Sequence, residues 1–266
     1  MKHLALFTFI ALAAGNVEAS TTIVGSWIGQ NLGSSQSTVV ASFLADGEFF
    51  LYNEGNSSLD PSGQSGLEYG NYNWNSSTGA FTAVDITNSV GGWQSMPLIS
   101  NLSVTGNTLS VSVHNTVVTL ASVPSVTNSF LGSWYIPHNG QVGTDLVTFL
   151  ADGTYFDVSW VDSKTNSDTS GQGIERGTYT FNSAIGAFTA TALFSTPGAG
   201  GPGGSSGIVT VTGDQMAFIS SINSNDSSNG TRVAPSAVPL PATAWFFMTG
   251  LTGLFYNVRQ KSRRLG

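Results

Sequence analysis

The chain contains no cysteine among its 266 residues, and only 9% of its residues are charged. Without cysteine there are no disulfides, no thiolate zinc ligands and no cysteine nucleophile. The shortage of Glu, Lys and Arg removes the side chains that usually cover exposed helix faces. Val, Thr, Phe, Tyr and Trp are frequent instead, and these residues favour strands. We therefore expect an all-β protein that is stabilised by burial of apolar side chains.

Basic residues are scarce across the central part of the chain. Residues 20–237 contain only three of them, Lys164, Arg176 and Arg232, against 14 acidic residues. A surface of this composition repels phosphate backbones, so we expect no nucleic-acid partner.

The sequence offers little material for catalysis. Of the three histidines, His3 lies in the N-terminal leader, while strand and turn positions explain His114 and His138. No phosphate-binding loop and no serine-centred elbow with a matching His and Asp is present. We therefore predict no catalytic residue, no cofactor and no metal site.

Two weaker hypotheses use acidic residues. Glu68 and Glu175 would form a hydrolase pair if the parts of the chain that carry them faced each other across a cleft. Asp157, Asp162 and Asp168 are candidate calcium ligands, although their spacing matches no EF-hand loop.

The N-terminus has the order of a secretory signal peptide. Lys2 supplies the positive start, residues 4–14 are apolar, and small residues precede the bond between Ala19 and Ser20. We predict cleavage at that bond, so that residues 1–19 form the leader. An N-terminal membrane anchor is the alternative, although the apolar stretch is shorter than a membrane span requires.

The central region is an internal duplication with a spacing of 106 or 107 residues. Five pairs of blocks recur: 25–27 and 132–134, 43–47 and 149–153, 66–70 and 173–177, 79–83 and 186–190, 104–107 and 211–214. This period exceeds that of solenoid repeats, so each copy is predicted to be a domain or half-domain.

Each copy has the pattern of an antiparallel meander. Asp46-Gly47 and Asp152-Gly153 separate runs of β-forming residues, which indicates hairpins with tight primed turns. We predict seven or eight strands per copy and two tandem meander barrels or sandwiches, over residues 23–122 and 130–222. One larger barrel or sandwich made from both halves is the alternative. Residues 223–237, rich in Ser and Asn, are predicted to be a flexible linker.

The tryptophans divide into two groups. Trp27 and Trp134 recur at the first strand of each copy, which indicates core positions. Trp93 and Trp160 have no equivalent tryptophan in the other copy, so we regard them as the better candidates for ligand contacts.

The motifs Gly25-x-Trp27 and Gly132-x-Trp134, each opening an antiparallel meander, resemble the first-strand signature of lipocalin-like barrels. That resemblance implies binding of a small apolar ligand inside a barrel. Lipocalins usually pair this tryptophan with a basic residue late in the barrel, and the first copy contains no Lys or Arg.

The C-terminal segment, residues 238–266, combines a proline-flanked motif, an uncharged apolar stretch and a basic end. The motif consists of Val238, Pro239, Leu240, Pro241 and Ala242. The basic cluster consists of Arg259, Lys261, Arg263 and Arg264. Residues 242–258 are long enough for one transmembrane helix, and the basic cluster favours a cytoplasmic end, so the β region would face outward.

This tail closely resembles the VPLPA variety of PEP-CTERM sorting signals. The resemblance implies recognition by an exosortase-like membrane enzyme, processing of the tail, and delivery to the cell surface or extracellular space. By association it also implies a link to exopolysaccharide and biofilm. A permanent single-span anchor is the alternative. We therefore expect an exported, non-catalytic bacterial surface or matrix protein, with a binding module for polysaccharide or a small apolar ligand as the alternative and a secreted hydrolase as a weaker one.

Overall fold

The structure, a computed structural model, describes residues 22–32, 37–55, 65–88, 99–113, 116–137, 143–161, 171–222 and 227–233. Sixteen strands and no α-helix occur in these residues, which confirms the prediction of an all-β protein. No helix in the described part of the chain is long and apolar enough to cross a membrane. The predicted leader, sorting motif, transmembrane helix and basic cluster all lie outside the described residues.

The first repeat is a meander of eight antiparallel strands in which β1 pairs with both β2 and β8. Its order is β5-β4-β3-β2-β1-β8-β7-β6, and β5 and β6 do not pair in the described residues. The strands are β1 (Gly25–Leu32), β2 (Ser37–Phe43), β3 (Glu48–Glu54), β4 (Gly66–Trp74), β5 (Phe81–Asn88), β6 (Ile99–Thr105), β7 (Thr108–Val113) and β8 (Thr116–Ser122).

The second repeat has the same eight-strand meander, but its sheet closes into a barrel. Pairing of β13 with β14, from Ala187–Ile208 to Thr189–Ser206, closes the ring; the described residues of the first repeat show no equivalent pairing. The strands are β9 (Gly132–Pro137), β10 (Gly143–Phe149), β11 (Thr154–Val161), β12 (Gly173–Asn182), β13 (Ala187–Ser195), β14 (Ser206–Thr212), β15 (Gln215–Ser220) and β16 (Ser227–Val233).

Strand β16 corrects the predicted end of the second repeat. The composition of residues 227–233 predicts a flexible linker because Ser, Asn and Gly dominate their first half, yet these residues pair with both β15 and β9. Val233 is buried, so the pairing also buries an apolar side chain. The second repeat therefore extends beyond residue 222.

The two Asp-Gly hairpins form as predicted, although their turns are not primed. Gly47 and Gly153 have positive φ values of 94° and 84°, whereas Asp46 and Asp152 do not. Each aspartate instead accepts a hydrogen bond from the backbone N–H two residues later. This geometry fits a longer hairpin loop with glycine in its last position.

Each repeat has its own apolar core on the inner face of its sheet. Trp27 and Trp134 are buried in these cores, as their recurrence predicted. Their indole N–H groups donate to the backbone carbonyls of Ile23 and Phe130, in each case at 2.9 Å. The duplicated Gly-x-Trp motif therefore places an equivalent buried tryptophan, with the same hydrogen bond, in the core of each repeat.

A third core joins the outer faces of the two repeats. Phe50, Tyr52 and Leu67 of the first repeat pack with Phe156 and Ile174 of the second in one buried cluster. Residues 21–237 accordingly form one compact unit, which contains all sixteen strands and all three cores. The first repeat, an eight-stranded sheet, and the second, a closed barrel, thus share a core.

Candidate functional site

The barrel of the second repeat contains a partly open cavity of about 470 Å³. Its wall is mainly apolar, since aromatic and aliphatic side chains from both halves of the barrel surround it. One charged side chain, that of Asp145, lines it together with the segment after β13. The apolar wall residues are Phe130, Ile136, Val147, Phe149, Phe188, Val209, Met216 and Phe218.

Three carboxylates, those of Asp145, Asp157 and Glu175, lie on the inner faces of adjacent strands at one end of the barrel. We call this the acidic end. Asp145 in β10 is opposite Ser159 in β11, and Asp157 in β11 is opposite Glu175 in β12. Side chains alternate between the two faces of a strand, so Asp145 and Asp157 point inward with Val147 and Tyr155. The sheet register thus brings together acids that are distant in sequence.

Asp157 is fully buried, with 0% of its surface exposed. One carboxylate oxygen accepts a hydrogen bond of 2.8 Å from the Ser159 hydroxyl. The other, Oδ1, is buried and has no hydrogen-bond partner among the described residues. Burial, together with the charges of Asp145 and Glu175, raises the pKa of Asp157 well above its usual value.

Glu175 fixes the loop between β13 and β14 to the barrel. Its Oε1 accepts hydrogen bonds of 2.8 Å from the Tyr155 hydroxyl and from the backbone N–H of Gly203. Burial and this bond raise the pKa of the Tyr155 hydroxyl, so it stays protonated as a donor. A Cβ atom at Gly201 would lie only 2.4 Å from Glu175 Oε1. The close approach of the loop to a carboxylate therefore explains the glycines at positions 201 and 203.

The first repeat lacks two of these acids at equivalent positions. Val39 stands where the second repeat has Asp145, and Leu51 stands where it has Asp157, both at a spacing of 106 residues. Val39 and Leu51 are buried in the apolar core of the first repeat. Only the glutamate is shared, as Glu68 and Glu175. The acidic end is therefore a property of the second repeat alone.

Arg232 lies toward the opposite end of the second barrel and covers the Trp134 ring, with its guanidinium carbon 4.1 Å from the ring centroid. Only 1% of its side chain is exposed. It donates to Asp214 at 3.1 Å and to the backbone carbonyls of Leu131 and Ser129. Arg232 thus ties the last strand of the barrel to the segment that precedes the first.

The two tryptophans predicted to contact a ligand are placed differently. Trp93 lies outside the described residues. Trp160 is partly buried against the core between the repeats, with its ring centroid 4.2 Å from that of Tyr69. Packing between the repeats therefore accounts for Trp160 without a ligand.

The carboxylate pair that a hydrolase would need does not face a common cleft. Glu68 and Glu175 belong to β4 and β12, and their neighbours Leu67 and Ile174 form part of the core between the repeats. Because side chains alternate along a strand, both glutamates point away from that core, into their own sheets. The prerequisite for the hydrolase hypothesis is therefore not met.

The calcium hypothesis is only partly within the described residues, since Asp162 and Asp168 lie outside them. In the part that the structure describes, no three His, Asp or Glu side chains are grouped so that they could hold a metal ion. His114 and His138 also lie outside the described residues.

A second depression, of about 520 Å³, lies between the repeats along β1, β8 and the turn after β10. Its only acidic lining residue is Asp152, whose side chain caps its own turn. The barrel cavity is the stronger candidate because Asp145 lines its wall, and the buried Asp157 and Glu175 lie on the two neighbouring strands.

Sequence analysis did not single out Asp145, and it named Asp157 only as a calcium ligand. Alignment of the two repeats contains the missing signal, because an acid in one copy replaces an aliphatic core residue in the other. No protein-family model matches the chain, and no curated protein is similar to it in sequence.

Proposed function

We propose that this is an exported, non-catalytic surface or matrix protein whose second repeat binds a small, mainly apolar molecule inside its barrel. The observation that carries the proposal is the apolar cavity of about 470 Å³ with a carboxylate in its wall. Ligand pockets typically have volumes of about 300–1,000 Å³, apolar walls and a few placed polar groups. An eight-stranded barrel is also the size that holds one small ligand.

The pairing of Trp134 with Arg232 supports the same proposal. This arrangement resembles that of lipocalin-like barrels, in which a tryptophan on the first strand pairs with a basic residue late in the barrel. The second repeat has both residues, and they contact each other. The first repeat has Trp27 but no basic residue, so ligand binding is assigned to the second repeat.

A neutral fluorescent probe, N-phenyl-1-naphthylamine, tests this proposal on the compact unit of residues 21–237. We expect the probe to brighten on binding, and Val209→Phe to weaken binding at least about tenfold because the new ring occupies the cavity. The matched control is Leu102→Phe, at the equivalent position of the first repeat, which should bind as the parent does.

Urea unfolding of both variants separates loss of the cavity from loss of the fold. Absence of probe binding to the parent unit, or equal binding by the parent and a folded Val209→Phe variant, would contradict the proposal.

The route to the surface is the second part of the proposal, and the sequence of the tail supports it. Residues 238–242 form the motif for an exosortase-like enzyme, and residues 242–258 hold the chain in the membrane until processing. Pro239→Ala with Pro241→Ala should leave a larger, membrane-bound protein in cell fractions. The control is Pro235→Ala, just outside the motif, which should be processed normally. Normal mass and location of the double variant would refute the sorting role.

A further inference from the structure

Neither arginine in the described part of the chain lies at the acidic end of the cavity. Arg176 pairs with Glu54 on the outer face, at 2.8 Å. Arg232 pairs with Asp214 toward the far end of the barrel. Burial of an ionised carboxylate is unfavourable unless a counter-charge accompanies it, so a positive charge beside the buried Asp157 would stabilise its ionised form.

The three acids do not have equivalent roles. Glu175 already accepts two hydrogen bonds and fixes the loop. Asp157, fully buried, keeps a carboxylate oxygen without a hydrogen-bond partner in the described residues. Asp145 lines the cavity and lies close enough to influence the charge on Asp157. The Asp145–Asp157 pair is therefore the part of the cluster that is suited to a ligand.

We propose that the ligand is a cationic amphiphile, with an ammonium group at Asp145, in front of the buried Asp157, and an apolar body among the aromatic side chains of the cavity. This inference rests on the proposed function of the barrel. The cavity wall fits the apolar body, since eight of its side chains are aliphatic, aromatic or methionine. An ammonium donates hydrogen bonds and supplies a positive charge, whereas a carboxylate ligand would add a further negative charge.

The loop after β13 strengthens this pairing. Gly200 and Gly201 form part of the cavity wall, and a Cβ at Gly200 would lie 3.5 Å from Asp145 Oδ1. The loop thus lies against the carboxylate end of the cavity. An ion pair in such an environment is stronger than one in bulk water because the local dielectric constant is lower.

The first repeat supplies an internal comparison. At the positions of Asp145 and Asp157 it has Val39 and Leu51, which are packed in its core. The second repeat also has its own Gly/Pro-rich loop, whose Gly200 N–H donates to the Ser159 hydroxyl at 2.6 Å, and that hydroxyl donates to Asp157. The pair and this loop are thus features of the second repeat, and we assign the pair to a ligand that only this repeat binds.

Three ligands of equal chain length test the inference: decylamine, decan-1-ol and decanoate, measured by calorimetry on the unit of residues 21–237 at neutral pH. We expect decylamine to bind at least about tenfold more tightly than decan-1-ol, and decanoate to bind most weakly. Asp145→Asn should remove the preference for the amine and leave the affinity for decan-1-ol within about threefold. Val39→Asn, the matched change in the first repeat, should leave the preference intact.

The outcomes separate the two proposals. Binding of none of the three ligands would overturn both the ligand-binding function and this inference. Equal binding of all three, or an amine preference that survives in both Asp145→Asn and Asp157→Asn, would overturn the inference alone. Displacement of decylamine by calcium chloride, but not by sodium chloride at equal ionic strength, would also overturn it and identify the acids as a metal site.

Discussion

Arg176 of the second repeat makes two hydrogen bonds with the Glu54 carboxylate of the first, at 2.8 and 3.0 Å. Under the spacing of the duplication, Glu54 corresponds to Trp160 and Arg176 corresponds to Tyr69. Trp160 and Tyr69 also contact each other, with ring centroids 4.2 Å apart. The same pair of positions therefore meets twice between the repeats, once as an ion pair and once as an aromatic pair.

This relationship indicates approximate twofold symmetry within one chain. Strand β3 contacts its equivalent β11, β4 contacts β12, and β1 contacts β9. A contact between identical patches is the kind that joins two subunits in a symmetric dimer. The two repeats therefore meet through equivalent patches, as the subunits of a symmetric dimer do.

The two symmetric contacts should differ in strength. A double-mutant cycle with Glu54→Gln and Arg176→Gln should give a coupling of about 1 kcal/mol or less, because both side chains are partly exposed. Trp160→Ala should cost about 2–4 kcal/mol, since a large ring leaves a packed core. Urea unfolding of each variant measures both. A Glu54–Arg176 coupling energy larger than the cost of Trp160→Ala would contradict this ranking.

Removal of Arg232 should destabilise the second barrel strongly. Arg232→Met leaves the carbonyls of Ser129 and Leu131 without their donor and removes the cation from the Trp134 ring. We expect a loss of about 2–4 kcal/mol in the free energy of unfolding. Arg232→Lys should recover only part of it, because an ammonium lacks the planar fork of a guanidinium.

The control for this change is Arg176→Met, which removes the other described arginine from a more exposed position. It should cost about 1 kcal/mol or less. If the two arginine variants unfold at the same urea concentration, Arg232 does not stabilise the barrel more than Arg176 does, and the prediction is wrong.

Much of the fold could be predicted from the sequence because the signals were local or repeated. Asp-Gly pairs marked hairpins, and the duplicated Gly-x-Trp motif marked the core tryptophans. Closure of the second sheet depends on pairing between β13 and β14, which has no counterpart in the described residues of the first repeat and which no local pattern encodes. The predicted end of the second repeat was wrong because Ser227–Val233 has the composition of a linker and is stabilised by its neighbours.

The shared core had a signal that composition alone does not reveal. Phe49, Phe50, Leu51 and Tyr52 are consecutive and all buried. A strand with one face in water should alternate, so a continuous apolar run indicates burial of both faces. Its outer face packs against the other repeat. The candidate site was harder to find, since Asp145 and Asp157 meet only through the strand register.

In the glycine-rich loop between β13 and β14, a substitution of glycine by alanine should be most costly at positions that lie against the Glu175 carboxylate. Gly201→Ala should cost about 1–3 kcal/mol in unfolding free energy, because the new Cβ would overlap Glu175 Oε1. Combined with Glu175→Ala, which makes room, the cost should be smaller than the sum by about 1 kcal/mol. Urea unfolding of the two single variants and the double variant gives this coupling.

Gly204→Ala is the matched control for this pair. Gly204 has a φ of 81°, and no atom lies within 4 Å of the position that a Cβ would occupy there. The substitution should therefore show only backbone strain, of about 1 kcal/mol, and its effect should add to that of Glu175→Ala. Coupling of Gly204→Ala with Glu175→Ala would assign the effect to the loop as a whole.

Asp157 should make stability fall as pH rises. Its pKa is raised above the usual 3.8, so between that value and the raised pKa the folded protein holds a proton that the unfolded chain has released. In this window unfolding releases a proton, and the free energy of unfolding decreases with pH. Asp157→Asn removes this dependence. The free energy of unfolding of the variant, minus that of the parent, should therefore increase with pH through the window and then level off.

Urea unfolding between pH 4 and pH 8 measures the difference between variant and parent, in which the titration of the other acids largely cancels. The matched control is Leu51→Asn, which places the same amide at the equivalent position of the first repeat. Leu51→Asn should lower stability by the same amount at every pH, because it removes no titrating group. A parallel pair of curves for Asp157→Asn and the parent would show that the acidic end of the cavity carries its charge without cost to the fold.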